Sequence, residues 1–151
     1  MKTKILVIIL FFTLSQCGYS PIYSKYNEFN LRIDIDSIDG DREINNIIKS
    51  NIQKISKENS NKKFIIKVNT NYVKTILSRN QTGAASEYQL IATSNFTIND
   101  GKKISDFIIE EKIVLSAESN IFKEKEYETT RKNAFANSIS EKFLLKLSTF
   151  K

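Results

Sequence analysis

The 151-residue sequence predicts an α+β fold, a two-layer sandwich with the element order β-α-β-β-β-α. Two helices should pack on one face of an about four-stranded, mostly antiparallel sheet. In four segments apolar residues alternate with polar ones, the period of a half-buried strand, and in two others they recur every three or four positions, the period of an amphipathic helix. One proline and four glycines leave few places to interrupt these elements, so each should be long.

The first strand is predicted over 30–38, where aliphatic residues alternate with charged ones. A turn at Gly40 follows, and Asp41 is expected to cap a helix over 41–57. One apolar stripe predicts that this helix lies on the sheet. The stripe consists of Ile44, Ile47, Ile48, Ile52 and Ile55. The first strand fits an edge position, and the crossover helix would equally allow it to pair internally and parallel.

Three more strands and a second helix complete the predicted fold. The second strand begins at Phe64 and ends near Ser78, and the third covers about 88–98. Asn99-Asp100-Gly101 is a tight-hairpin signal before the fourth strand, 104–117. These three strands should form an antiparallel meander. After Asn120 the apolar period lengthens, which predicts a helix that continues to the C-terminus.

The N-terminal segment has the pattern of an export signal. Lys2 and Lys4 precede the apolar run 5–12, which is too short to span a bilayer, since a transmembrane helix needs about 20 residues. Residues 14–17, Leu-Ser-Gln-Cys, resemble the bacterial lipobox, which implies cleavage after residue 16 and acylation of Cys17. In the familiar sorting rule, Gly18 after the cysteine favours the outer membrane. We therefore predict a signal peptide at 1–16, a lipidated tether at 17–29 and a single domain at 30–151.

Composition argues against catalysis and against nucleic-acid binding. The chain has no histidine and one cysteine, which excludes Ser-His-Asp and Cys-His arrangements and metal sites built on thiolate or imidazole. Its scattered glycines cannot form a phosphate-cradling loop. Removing Lys2 and Lys4 from the 23 basic residues leaves 21 against 17 acidic ones, and the two signs are interleaved rather than gathered. We expect no enzyme activity, cofactor, metal or nucleic-acid partner.

Three short motifs occur in a fixed order along nearly the whole chain. Cys17-Gly18-Tyr19 is followed by Pro-Ile-Tyr at 21–23. Ser-Arg-Asn-Gln-Thr at 78–82 leads into Ala-Ser-Glu-Tyr-Gln-Leu at 85–90, and the terminal helix carries Leu-Leu-Lys-Leu at 144–147. Together their order and spacing resemble those of LptE, the family of lipopolysaccharide-assembly lipoproteins.

The resemblance implies a non-enzymatic lipoprotein that plugs and helps assemble the LptD β-barrel and contacts lipopolysaccharide in passage. Arg79 matches a basic residue that the family is thought to use against lipopolysaccharide, and Lys123 matches a second, with Lys125 an equally possible alignment. The meander should bring Arg79 and Lys123 to the same end of the sheet. From the residues alone, a solvated turn charge explains Arg79 as well.

The outer face of the third strand is polar but uncharged at Gln89, Thr93, Asn95 and Thr97. Such side chains suit a crowded, hydrated barrel lumen because neutral groups cost less to desolvate than charges. We therefore take them as candidate barrel contacts, although ordinary solvent exposure explains them too. The alternative function is that of a small periplasmic lipoprotein acting as an accessory or adaptor of another envelope transporter.

Overall fold

The computed structural model describes residues 31–149, and the predictions for the signal peptide, the tether and Cys17 lie outside this range. The elements follow the predicted order and confirm the α+β fold. They are β1 (Arg32–Gly40), α1 (Arg42–Gln53), β2 (Lys63–Arg79), β3 (Ala85–Asn99), β4 (Ile104–Ser116) and α2 (Ile121–Ser148).

The strands form one sheet in the order β1-β2-β3-β4. β2, β3 and β4 make the predicted antiparallel meander, whereas β1 lies at the edge and runs parallel to β2. The first strand thus combines the two placements that the sequence left open. It pairs only with Lys63–Thr70, because the chain turns away from β2 at Gly40, whose φ is 100°. A Cβ built on Gly40 would lie only 1.9 Å from the Thr70 carbonyl oxygen, so this close approach requires glycine.

Both helices cover the same face of the sheet. The buried side chains come from alternating positions of the strands and from the predicted isoleucine stripe of α1. On β2, for example, they include Phe64, Ile66 and Val68. Phe143 of α2 stacks on Phe96 at a centroid separation of 4.5 Å. The core therefore lies between the helices and the half of the sheet that contains β1.

α1 ends at Gln53, four residues earlier than predicted. The segment that follows bonds to β1 instead of continuing the helix. The Ser56 hydroxyl accepts from the Ile33 N–H at 2.8 Å and donates to the Ile33 carbonyl, and the Lys57 N–H donates to the Leu31 carbonyl at 3.0 Å. Tertiary hydrogen bonds of this kind carry no periodic signal, which is why the apolar period overestimated the helix.

α2 has 28 residues and two unlike halves. The buried side chains of α2 begin at Phe135 and continue to Leu147, whereas those of 121–134 are exposed or half-buried. Asn120 caps the first half, with its side-chain oxygen accepting from the Phe122 N–H at 2.9 Å. No helix in the described range is long and apolar enough to cross a membrane.

Candidate functional site

The most distinctive surface is at one end of the molecule, which we call the tip. It comprises the part of the β2–β3 hairpin beyond Thr70, the end of β4, and the first half of α2, 121–134. β1 stops short of the tip, so three strands face a single helix there. A cleft of about 200 Å³ results between the helix and the sheet.

The cleft has an apolar and aromatic floor with charged walls. Tyr88, Leu90 and Leu115 from the sheet form the floor. Residues Glu124, Tyr127, Glu128 and Arg131 of α2 line the opposite side. The cleft exists because Phe135 is the first buried residue of α2, and the turns before it lie over the strands without filling the gap.

Lys74 holds the first half of α2 against the sheet. Its Nζ lies 2.8 Å from Glu124 Oε1, 3.0 Å from Glu128 Oε2 and 4.3 Å from the centroid of the Tyr88 ring. Burial alone would lower the pKa of Lys74, but the hydrogen bonds to Glu124 and Glu128 outweigh it and raise the pKa. The ammonium is therefore charged and bridges two glutamates that lie one helical turn apart.

A second cation, Lys132, extends the same network toward α1. Its Nζ contacts Asp41 Oδ2 at 2.8 Å and Glu43 Oε2 at 2.9 Å, and it lies 4.4 Å from the Tyr72 ring centroid. Burial lowers and the two carboxylates raise the pKa of Lys132, with a net rise. Tyr72 donates to Glu128 at 3.0 Å, and burial together with this carboxylate raises the pKa of Tyr72. The network joins α1, β2 and α2 through charges rather than through apolar packing.

Sequence reasoning missed the cleft and its charge network, although one signal was available. Tyr72 and Lys74 continue the alternation of Phe64, Ile66, Val68 and Thr70. The register therefore directs them to the helix-covered face. A lysine at a core-facing position of a strand indicates a carboxylate partner across the fold.

Arg79 and the two predicted lysines all lie at the tip, but they are held separately. The Arg79 Nη1 donates to the Gly83 carbonyl at 2.8 Å, which folds the side chain back on its own hairpin. Lys123 and Lys125 are exposed on the first turns of α2. Lys74 contacts the start of α2 through Glu124, whereas Arg79 lies five residues further along β2, a distance of about 16 Å along the strand. A shared binding site for Arg79 and the lysines therefore stays a prediction.

The predicted barrel contacts lie on the open face of the sheet, the face that the helices leave uncovered. β2 supplies neutral polar neighbours at the positions paired with three of them, which the sequence reasoning did not single out. These pairs are Thr75 with Gln89, Asn71 with Thr93, and Asn69 with Asn95. Thr97 pairs with Lys67 on one side and donates to Asp106 on the other at 2.5 Å. The result is a neutral polar stripe down the middle of the sheet.

Apolar side chains interrupt and flank this stripe. Val73 pairs with Ile91 between the Thr75–Gln89 and Asn71–Thr93 pairs, and the exposed residues at the margins are Ile65, Ile104, Ile108 and Val114. The open face therefore offers a polar stripe with apolar margins, and the tip offers a charged cleft.

Within the described residues, no group of three or more His, Cys, Asp or Glu side chains could hold a metal ion.

No family model matches the sequence, and no curated protein matches it either. Solved structures do match. The rare lipoprotein B from Shewanella oneidensis superposes with a TM-score of 0.60 at 18% identity, over 79% of this chain and 93% of that one. A lipoprotein from Caulobacter crescentus gives 0.52 at 8% identity, over 87% and 95%. Lipoprotein B from Nitrosomonas europaea gives 0.53 at 16% identity, over 80% and 88%. This chain shares the fold of these lipoproteins.

Proposed function

We propose that this chain is a non-enzymatic, lipid-anchored outer-membrane lipoprotein of the LptE type, which plugs and helps assemble an LptD-like β-barrel and binds lipopolysaccharide during transport. The observation that carries the proposal is the fold shared with the rare lipoprotein B of Shewanella oneidensis over 93% of that chain. The lipobox-like sequence that ends at Cys17 and the LptE-like motifs support it from the sequence.

The open face suits a hydrated lumen. Threonine and asparagine side chains can exchange water for hydrogen bonds to a barrel wall at modest cost, because each such exchange is nearly neutral in free energy. The exposed apolar side chains of β2 on this face, Ile65 and Val73, would add contact area that a fully charged face would not. Thr93 and Asn95 lie at the centre of the stripe and are its best probes.

Arg79 suits the phosphates of lipopolysaccharide. A guanidinium can bind two oxygens of one phosphate at once, and the hydrogen bond of Arg79 to the exposed Gly83 carbonyl is open to exchange with such a ligand. Lys123 and Lys125 supply further positive charge at the same end of the molecule. Lipopolysaccharide would thus meet the tip while the barrel surrounds the sheet.

Copurification tests the barrel. The tagged full-length protein is isolated from solubilised outer membranes, and an LptD-like barrel in about equal amount is the expected result. Thr93→Lys with Asn95→Lys should reduce the recovered barrel, because both substitutions place charge on the stripe. Lys102→Glu, in the exposed β3–β4 turn, is the control. Recovery with an inner-membrane transporter and no barrel would favour the accessory or adaptor function instead.

Lipopolysaccharide binding is tested separately, by immobilising the full-length protein and measuring bound labelled lipopolysaccharide. Arg79→Glu with Lys123→Glu should lower binding while circular dichroism stays unchanged. Lys49→Glu with Lys102→Glu changes the net charge equally at exposed positions away from the tip. Equal losses of lipopolysaccharide binding in both double variants would show that net charge alone causes the effect. Unchanged binding in Arg79→Glu with Lys123→Glu would refute the role of these two residues.

A further inference from the structure

β4 presents a long edge on which, within the described residues, no strand pairs. Its register with β3 is continuous from Glu87↔Ser116 to Asn99↔Ile104. Just outside its two ends, the Lys103 carbonyl accepts from the Asp100 N–H and the Ala117 N–H donates to the Ser86 carbonyl. Because backbone groups alternate in direction along a strand, the odd-numbered residues of β4 face β3. The backbone N–H and C=O groups of the even-numbered residues, 104–116, point outward.

Charged side chains normally guard such an edge against pairing. On the open face of β4 these are Asp106, Glu110 and Lys112. Glu110 and Lys112 have opposite charges and lie two positions apart. Whether these charges oppose or favour pairing with another strand therefore depends on the register of the pairing. If two copies of β4 pair antiparallel about Glu110 or about Lys112, like charges face each other. If they pair about Glu111, Glu110 of each copy faces Lys112 of the other on the open face. Glu111 then faces Glu111 of the second copy on the helix-covered face, where the ion pair with Lys142 of the same chain offsets the charge of each carboxylate.

The same register matches the apolar residues. On the open face Ile108, 68% exposed, meets Val114 of the second copy. On the helix-covered face Ile109 meets Ile113 and Phe107 meets Leu115. It also makes the outward even-numbered residues the hydrogen-bonded partners, as an antiparallel ladder requires. We propose that β4 pairs with β4 of a second copy of this chain in this register and joins two sheets into one.

α2 supports the pairing from above the sheet. Ser138 and Lys142 both contact Glu111, at 2.6 and 2.5 Å, so this stripe of the helix overlooks the β4 edge. Leu145 continues the stripe and is 68% exposed, and Ala134 lies one turn before Ser138 on the same side. In the paired arrangement the two α2 helices run antiparallel across the two-fold axis. Leu145 of one copy then lies near the small Ala134 of the other.

This proposal goes beyond the function proposed above and stands on a different part of the sheet. The neutral stripe belongs to β2 and β3, whereas the self-complementary edge belongs to β4. Pairing would occur in protein that is free of a barrel. Failure of self-pairing would leave the barrel proposal untouched, and failure of barrel copurification would leave this one untouched.

Charge reversal tests the register on detergent-solubilised full-length protein prepared without a barrel partner. Sedimentation should show a concentration-dependent dimer. Lys112→Glu alone and Glu110→Lys alone each place two like-charge pairs at the interface and should weaken association about tenfold or more. The double variant restores opposite charges and should restore the dimer. Lys102→Glu is the matched control and should dimerise like the parent protein.

A cysteine variant tests the axis. Residue 111 pairs with itself at a position that is not hydrogen-bonded, where Cα atoms lie about 4.5 Å apart, within disulfide range. Glu111→Cys should therefore form an intermolecular disulfide. Ile104→Cys, seven residues from the axis, should not, and the parent chain reports any contribution of Cys17. A monomer at all concentrations, a dimer insensitive to the single reversals, or equal crosslinking at 104 and 111 would each overturn the proposal.

Discussion

Lys74→Met should loosen the first half of α2 and leave its second half in place. Lys74 is the ion-pair partner of both Glu124 and Glu128, and its side chain is 25% exposed. Methionine keeps the unbranched stem that lies along Tyr88 but removes the charge. The two glutamates, one helical turn apart, would then repel each other across the position that the ammonium had occupied.

The expected cost lies between two known limits. Exposed ion pairs contribute at most about 1 kcal/mol, and breaking a fully buried pair costs about 3–5 kcal/mol. A quarter-exposed ammonium with two partners falls between them, so we expect about 2 kcal/mol. The hydrogen bond from Tyr72 to Glu128 survives the substitution and keeps the value from being larger. At about 1.4 kcal/mol per factor of ten, this corresponds to an opening constant about 30-fold higher.

Native-state hydrogen exchange measures this directly. Amides of residues 125–132 should lose about 30-fold in protection, while those of 139–147, which pack in the core through Phe143, should keep theirs. Lys67→Met is the matched control on the same strand, because Lys67 forms an ion pair with Asp36 on the open face and is 61% exposed. Equal losses in both halves of α2, or no loss in the first, would refute the assignment of Lys74 as its main attachment.

Three further predictions concern the core, the turn after β1 and the acid range. Phe143→Ala should lower the free energy of unfolding by about 3–5 kcal/mol in urea titrations, because it deletes a fully buried ring that stacks on Phe96. Gly40→Ala should lower it by about 1–3 kcal/mol in the same titration, since alanine is strained at that positive φ and its Cβ meets the Thr70 carbonyl. Burial raises but hydrogen bonds lower the pKa of Glu128, with a net fall, so its contribution to stability is full above the unfolded pKa near 4.3 and is lost as the pH falls through the lower folded value. Thermal melts should therefore show destabilisation below about pH 4.5, and Lys74→Met should flatten this dependence.

The sequence predicted the element order and the faces of the elements well, because both follow from local periodicity. The isoleucine stripe of α1 and the alternation from Phe64 to Val68 each specify a buried side without reference to the rest of the chain. Contacts between side chains that are distant in sequence do not follow from local periodicity. Lys74 and Glu124 are 50 positions apart, and no period in the sequence links them. The cleft was missed for this reason. The hydrogen bond from Arg79 to Gly83, only four positions away, was missed because it depends on the conformation of the turn.

Strand placement shows the same division. The apolar pattern of β1 fits an edge strand, and the following helix allows a parallel partner, so both properties could be stated but not their combination. In this combination Gly40 approaches the Thr70 carbonyl closely, and the Asp41 N–H donates to that oxygen at 2.9 Å. Backbone contacts of this kind become visible only once the two strands are side by side.

The two proposed surfaces can be separated because neighbouring strands present different chemistry to solvent. Thr93 on β3 is opposite Asn71 on one side and Glu110 on the other, so polarity changes from neutral to charged within one strand spacing, about 4.8 Å. A lysine at Thr93 perturbs a surface that the β4 edge does not need for pairing. Conversely, Lys112→Glu alters the edge and leaves the neutral stripe intact. Loss of barrel copurification only in the first variant and loss of the dimer only in the second would show that one sheet serves two partners through different strands.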